Sequence, residues 1–229
     1  MKIVLQKYVA DSGYCSRRKA EELIRDKKVL VNNKVAELGV RVGEKDEVKI
    51  GNKIIKPVED KIYIKLNKPV GYTCTNRKFK NEKNVFDLVN LKERLFVVGR
   101  LDKDSRGLVV LTNDGDWANK MMHPSFEHEK EYYVNIKHQK SNIKVDVKKE
   151  FLGGIDIGEG DGIVRAKKIE CFKDGVLKII LTQGKKRQIR RMFEILGLGV
   201  IDLKRVRMGN IELEDLEEGD FINFSLKRI

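Results

Sequence analysis

The chain has 229 residues, with 48 Lys and Arg against 35 Asp and Glu and a formal charge of +13. That length exceeds one small module and fits two domains, and a charge this positive points to a polyanionic partner, nucleic acid or an anionic membrane surface. No apolar run reaches the length of a membrane span and the first residues lack the apolar core of a secretion signal, so a cytoplasmic nucleic-acid binder with no membrane role is expected. Cys15, Cys74 and Cys171 are odd in number and far apart, with no CxxC pair, which fits neither a disulfide framework nor a zinc site.

Residues 1–58 form one compositional unit, with 14 Lys and Arg against 8 Asp and Glu. Leu5, Tyr8 and Val9 share one face of a short helix. The stretch DSGYCS breaks it, and Ser16 caps a second helix that starts with Arg17, Arg18 and Lys19 and turns Leu23 and Ile24 inward. VLVNNKVA reads as two short strands around an Asn-Asn turn. VRVGEKDEVKI reads as a further strand pair through Gly43, and Gly51 and Pro57 bracket a polar linker. Leu5, Lys7, Tyr8, Val9, Ala10, Gly13, Ser16, Arg17, Arg18, Ala20, Leu23, Ile24, Val29, Val31 and Asn32 together resemble the pattern of the S4 RNA-binding domain. The resemblance implies that Arg17, Arg18 and Lys19, at an electropositive helix start, grip RNA phosphates.

Residues 59–229 change to strands with scattered helices. KIYIKLNKP, LFVVGRLD, GLVVLTNDGD, EKEYYVNIK, VRAKKIECF and GVLKIILTQG read as strands, and WANKMMH and RQIRRMFEILG as helices. The class is α+β, with a mixed, mostly antiparallel sheet flanked by helices. Asp102 falls on a tight loop between two strands, where a rigid scaffold presents a side chain to a cleft. Tyr132 and Val134 point to one face of their strand and Tyr133 to the other. Ile189, Met192, Phe193 and Leu196 form an apolar stripe, and Arg190 lies beside it, so its guanidinium runs along the buried face toward a carboxylate.

Four stretches, LNKPVGYTCT (66–75), GRLDKDSRGLVVLTNDGD (99–116), HEKEYYV (128–134) and QGKKRQIRRMFEILG (183–197), resemble the pseudouridine synthases. The resemblance is to the branch that modifies ribosomal RNA and carries an S4 domain, and within it to the F type among the large-subunit rRNA enzymes. It implies that Asp102 is the catalytic aspartate, that Arg190 forms a salt bridge with it, and that Tyr132 packs against the target base. It further implies that Arg100 fills the gap left by a flipped nucleotide. Lys185, Lys186 and Arg187 precede the last helix and are expected to hold phosphates. Where Arg187 stands, other branches carry histidine, which bears on substrate choice.

The implied reaction isomerises uridine to pseudouridine in structured RNA, large-subunit rRNA first, with small-subunit rRNA or tRNA as alternatives. It adds no group and changes no oxidation state, so no cofactor and no metal are expected, and a monomer suffices. His123 and His128 read as loop residues. Asp104, Asp114 and Asp116 read as turn or cap residues, while Asn67, Lys68 and Pro69 either shape a cleft wall or turn the strand. Trp117 fits a core position and an RNA platform equally. Two rival readings are a non-catalytic RNA-binding or ribosome-assembly protein and a metal-dependent nuclease using Asp102, Asp104 and Asp114. The first would dispense with Asp102, and the second lacks a supporting His or Glu arrangement.

Overall fold

The computed structural model describes residues 2–77, 79–138, 146–172 and 175–226. The chain divides into two compact units. The first comprises Met1–Tyr63 with Leu91–Phe96 and Thr112–Gly115, and the second Ile64–Asn90, Val97–Leu111 and Asp116–Ile229.

In the first unit, α1 (Leu5–Asp11) and α2 (Arg17–Arg25) pack on a four-stranded antiparallel sheet. The Ser16 hydroxyl accepts the Lys19 N–H at 3.2 Å, the cap the sequence signals. Leu5, Val9, Ala20, Ile24, Val29 and Val48 fill the core. Asn32 and Asn33 take φ of 51° and 62°, so the Asn-Asn pair closes a hairpin between Val29–Val31 and Lys34–Val35.

Two expectations fail in this unit. Arg41–Val42 and Val48–Ile50 do not pair with each other: the former joins Ile3–Val4 and the latter joins Val29–Val31. The Asp46 carboxylate accepts the Gly43 N–H at 2.9 Å and shapes a loop that sends the two strands to different partners. The supposed linker also contains a strand, Lys53–Ile55, which folds back on Val48–Ile50 across Gly51 and buries Ile55.

The second unit is built on a nine-stranded mixed sheet. Its main path runs Lys168–Cys171, Leu177–Leu181, Lys130–His138, Leu198–Met208, Arg106–Thr112, Tyr63–Lys68 and Phe221–Asn223, with Phe96–Val98 and Ile211–Glu212 attached at its margins. Four helices accompany it: α3 (Val85–Leu88), α4 (Gly115–Met122), α5 (Val147–Gly153) and α6 (Gln188–Ile195). The apolar stripe of α6 buries Ile189, Met192 and Phe193, with Leu196 half-buried at its end, and the Phe193 ring meets that of Phe151 at 4.6 Å.

The six strands and two helices expected in this region all form. The sequence reading missed the longest strand, Leu198–Met208, at the middle of the sheet. It pairs antiparallel with Lys130–His138 and parallel with Arg106–Thr112. The parallel contact needs Gly107: its φ is +102°, and a Cβ there would lie 2.2 Å from the Arg205 carbonyl oxygen.

Candidate active site

The segment between Phe96–Val98 and Arg106–Thr112 is a short loop whose carbonyls are held from two sides. Asp102 opens a tight turn in which the Ser105 N–H donates to its carbonyl at 3.1 Å, and the Gly71 N–H donates to Lys103 O at 2.7 Å. The Lys68 ammonium, with no exposed surface, donates to Ser105 O at 2.6 Å, Pro69 O at 2.7 Å and Lys103 O at 3.5 Å. Burial pushes its pKa below the ordinary lysine value. On the other side, Arg205 donates to Gly99 O, Arg100 O and Leu108 O. Two buried cations thus hold the main chain before and after Asp102, a residue that is itself half-buried.

Asp102 borders a cleft of about 960 Å³. Among the described residues that line it, Asp102 is the only carboxylate, set among Arg100, Lys103, Lys130, Lys185, Lys186, Arg187 and Arg205. Tyr132 is the one tyrosine on the lining and is 7 % exposed. Strand alternation places it there as expected, while Tyr133 turns to the other face and stacks on Phe172 at 4.5 Å. Lys130, two residues before Tyr132 and therefore on the same face, has its pKa lowered by burial and by the nearby charge of Arg205. The arrangement admits an anionic ligand, offers a flat aromatic ring to a planar group, and presents one carboxylate to it.

The expected Arg190–Asp102 salt bridge is not what the structure holds. Arg190 Nε lies 3.3 Å from Asp104 Oδ2, and Nη2 donates to the Asp104 carbonyl at 2.7 Å and to Ser105 Oγ at 3.4 Å. Nη1 donates to Val200 O at 3.3 Å. Main-chain oxygens at the far end of the turn anchor the guanidinium there, and the carboxylate within its reach is the one two residues beyond Asp102. Arg187 completes the cluster with a bidentate pair to Asp104, Nη1 to Oδ1 at 3.0 Å and Nη2 to Oδ2 at 2.9 Å. Burial lowers the pKa of Arg190, and Asp104 and Asp102 both act against that shift. Asp104 is thus more than the turn residue expected from the sequence: it ties α6 to the Asp102 loop.

Partial burial alone would push the Asp104 carboxyl up, but the hydrogen bonds of Arg187 and the charges of both arginines outweigh it and hold the pKa below the ordinary carboxylate value. A carboxyl depressed on folding stabilises the fold above its unfolded pKa, and that contribution is lost as pH falls through the lower folded value. Asp104→Asn is therefore expected to cost about 1 kcal/mol or less at pH 7, because the side chain is 45 % exposed and water screens the pair. The matching drop in Tm, roughly 2 to 4 °C, should shrink as melts are taken below the ordinary aspartate range and vanish only below the depressed folded value; a drop of equal size at neutral and acid pH would count against the ionic origin.

The remaining sequence-selected residues divide between the cleft and other surfaces. Arg100, Lys185 and Lys186 are exposed on the cleft lining, and Lys185 also lies 3.5 Å from Asp161. Arg17, Arg18 and Lys19 are exposed at the start of α2, where Lys19 pairs with Glu22 at 2.7 Å. His123 and His128 reach the cleft wall; His123 Nδ1 is 2.7 Å from Ser125 Oγ. Trp117 is half-buried with its ring edge-on to Phe224. Asn67 is buried and donates to Leu216 O at 2.7 Å, and Asp114 accepts the Tyr63 hydroxyl at 2.6 Å. Among the described residues, no three His, Cys, Asp or Glu side chains gather as metal ligands, so the nuclease reading has no assembled site. Sequence reasoning did not find Arg205, because the strand that carries it was itself missed.

Comparison with known proteins places this geometry in a family. Residues 62–195 match the family model described as RNA pseudouridylate synthase, and residues 5–48 match the S4 domain. The dual-specificity RNA pseudouridine synthase RluF of Escherichia coli (strain K12) is 39 % identical over 221 residues, covering 95 % of this chain and 73 % of that protein. The ribosomal large subunit pseudouridine synthase B of Bacillus subtilis (strain 168) is 38 % identical over 222 residues, covering 94 % of this chain and 89 % of that one. A solved pseudouridylate synthase superposes with a TM-score of 0.69 at 28 % identity, covering 97 % of this chain and 96 % of its own.

Proposed function

The chain belongs to the RNA pseudouridylate synthase family and carries an S4 domain, and from that premise we propose that it isomerises a uridine of large-subunit rRNA, using Asp102 as the reacting carboxylate. The observation that carries the assignment of Asp102 is its place as the sole carboxylate, among the described residues, on a cleft lined with cations. The substrate choice rests on the large-subunit name of the Bacillus subtilis relative. The dual-specificity name of the Escherichia coli relative keeps a second RNA within the reading, for which tRNA is the candidate that the sequence resemblance supplies. The cleft volume lies near the upper end of the roughly 300–1,000 Å³ of ordinary small-ligand sites, which suits a flipped nucleotide with its flanking phosphates better than a bare base.

Isomerisation breaks the N1–C1′ bond of uridine, turns the uracil, and joins C5 to C1′; N1 gains a proton and C5 loses one. Asp102 in its ionised form attacks the nucleoside or stabilises and deprotonates it. Tyr132 offers a ring for the uracil to lie on and a hydroxyl that can donate or accept a hydrogen bond. Arg100 would occupy the space left in the RNA stack. Lys185, Lys186 and Arg187, with Arg17, Arg18 and Lys19 of the S4 domain, would neutralise phosphates and offset the cost of flipping, a few kcal/mol. A monomer acting in the cytoplasm, with ribosomal RNA as the ligand, belongs to the same reading.

The test is to incubate the protein with unmodified large-subunit rRNA, small-subunit rRNA and tRNA transcripts and map pseudouridine in each. A new site in large-subunit rRNA is the expected result; modification confined to small-subunit rRNA would overturn the substrate assignment. Binding should also be salt-sensitive. If about five phosphates are neutralised, affinity falls roughly 100- to 500-fold between 50 and 200 mM salt, from the single-stranded to the duplex limit. A titration showing less than a threefold change would remove the phosphate contacts from this picture.

A further inference from the structure

Arg205 is 1 % exposed, one of the largest fully buried side chains among the described residues, yet its guanidinium borders the cleft. A buried arginine ordinarily needs a carboxylate. Here the hydrogen bonds of the guanidinium go to carbonyl oxygens: Nε to Leu108 O at 2.8 Å, Nη2 to Gly99 O at 2.5 Å and Nη1 to Arg100 O at 3.5 Å. Gly99 and Arg100 lead directly into Leu101 and Asp102. A cation that could have been neutralised by an acid is instead committed to the main chain of the loop that carries the reacting group.

The sheet is altered to put it there. Glu131 pairs with Arg207 and Tyr132 with Arg205, so Val206 is an extra residue on the longer strand. Arg207 keeps to the far face, where it pairs with Glu129 at 2.8 Å and Glu131 at 3.2 Å. Past the bulge, Arg205 and Leu203 line the cleft beside Tyr132. The incoming loop runs close over this residue: a Cβ on Gly99, whose φ is +70°, would lie 2.9 Å from Met208 Sδ and 3.6 Å from Arg205 Nη1.

We propose that Arg205 is a positioning residue for the reaction, its guanidinium fixing the carbonyls of Gly99 and Arg100 and thereby the place of the Asp102 carboxylate against Tyr132. The inference rests on the reading of Asp102 as the reacting group. Only a planar fork can make this set of bonds, because it spans two consecutive carbonyls with its terminal nitrogens while Nε reaches a third on the neighbouring strand. A lysine has a single head and can serve one side or the other.

The test compares Arg205→Lys and Arg205→Met with wild type in the full chain. In single-turnover assays on an unmodified large-subunit rRNA transcript, Arg205→Met should lower the rate on the order of 100-fold, the cost of an ångström-scale misplacement. Arg205→Lys should recover part of that loss, and both should bind the transcript within about threefold of wild type. Amide hydrogen exchange supplies a second readout that needs no substrate: peptides covering residues 99–105 should exchange faster in Arg205→Lys, with those of α6 unchanged. A folded Arg205→Lys with wild-type rate, a change confined to RNA affinity, or unchanged exchange at 99–105 would each overturn the proposal. If Arg205→Met does not fold, Arg205→Lys decides it. If wild type leaves the transcript unmodified, the substrate reading fails while the exchange measurement still judges Arg205.

Discussion

Asp102→Asn is expected to lower the single-turnover rate of pseudouridine formation by about 10⁴-fold or more, with RNA affinity held or slightly raised. Asparagine has the same shape, and the turn that presents position 102 is closed by its main-chain carbonyl, which accepts the Ser105 N–H at 3.1 Å whatever the side chain. The substitution therefore removes charge and nucleophilicity and little else. Losses of this order follow removal of a reacting group when the surrounding site persists. Binding should not suffer, because the variant takes the single carboxylate out of a lining rich in lysine and arginine and leaves a more positive surface for phosphates. Single-turnover rates and filter-binding constants on the same transcript test this directly; more than about one per cent of wild-type rate in a variant shown free of contaminating enzyme would displace Asp102 from the chemistry.

Lys68→Met should cost about 2 to 4 kcal/mol of stability. Two effects compete. Methionine relieves the cost of holding an ammonium out of water, a cost expressed in the lowered pKa of Lys68. It also leaves the buried Ser105 O and the part-buried Pro69 O, at 2.6 and 2.7 Å from the ammonium, and the more distant Lys103 O without this donor. Each buried acceptor left unpaired costs about 1 to 3 kcal/mol, so the second effect wins. The Tm of the second unit should fall by roughly 5 to 15 °C. The sign of its pH dependence follows from linkage. With the folded pKa below the unfolded one, the unfolded chain binds more protons between the two values, and wild-type stability rises with pH across that window. The gap between wild type and Lys68→Met should therefore widen toward pH 10 and stay constant near neutrality; a gap that narrows on the alkaline side would contradict the buried-ammonium account.

Much of the site is legible in the sequence where a local rule governs it. Strand alternation is enough to send Tyr132 into the cleft and Tyr133 away from it, and helical spacing is enough to bury Ile189, Met192 and Phe193. Asp102 on its own is only a loop aspartate; its weight comes from the resemblance of the segments around it. Local rules fail where the determining contact is distant. Arg190 is correctly expected to run toward a carboxylate, but Asp102 and Asp104 differ by two positions on one turn. The choice between them is made by main-chain oxygens at Asp104 and Val200 that no periodicity reveals. Leu198–Met208 escapes for a different reason: two register shifts against Lys130–His138 interrupt the alternation that marks a strand. In the first unit, KII after Gly51-Asn52 mirrors VKI before it, a hairpin signal that the surrounding lysines hid.

The extra residue at Val206 makes the length of its strand as informative as its composition. Arg205 and Arg207 are two positions apart and would share one face of a regular strand; the extra residue is what turns one toward Tyr132 and the other toward Glu129 and Glu131. One extra residue thus lets two arginines spaced for a single face serve the two opposite faces of the sheet.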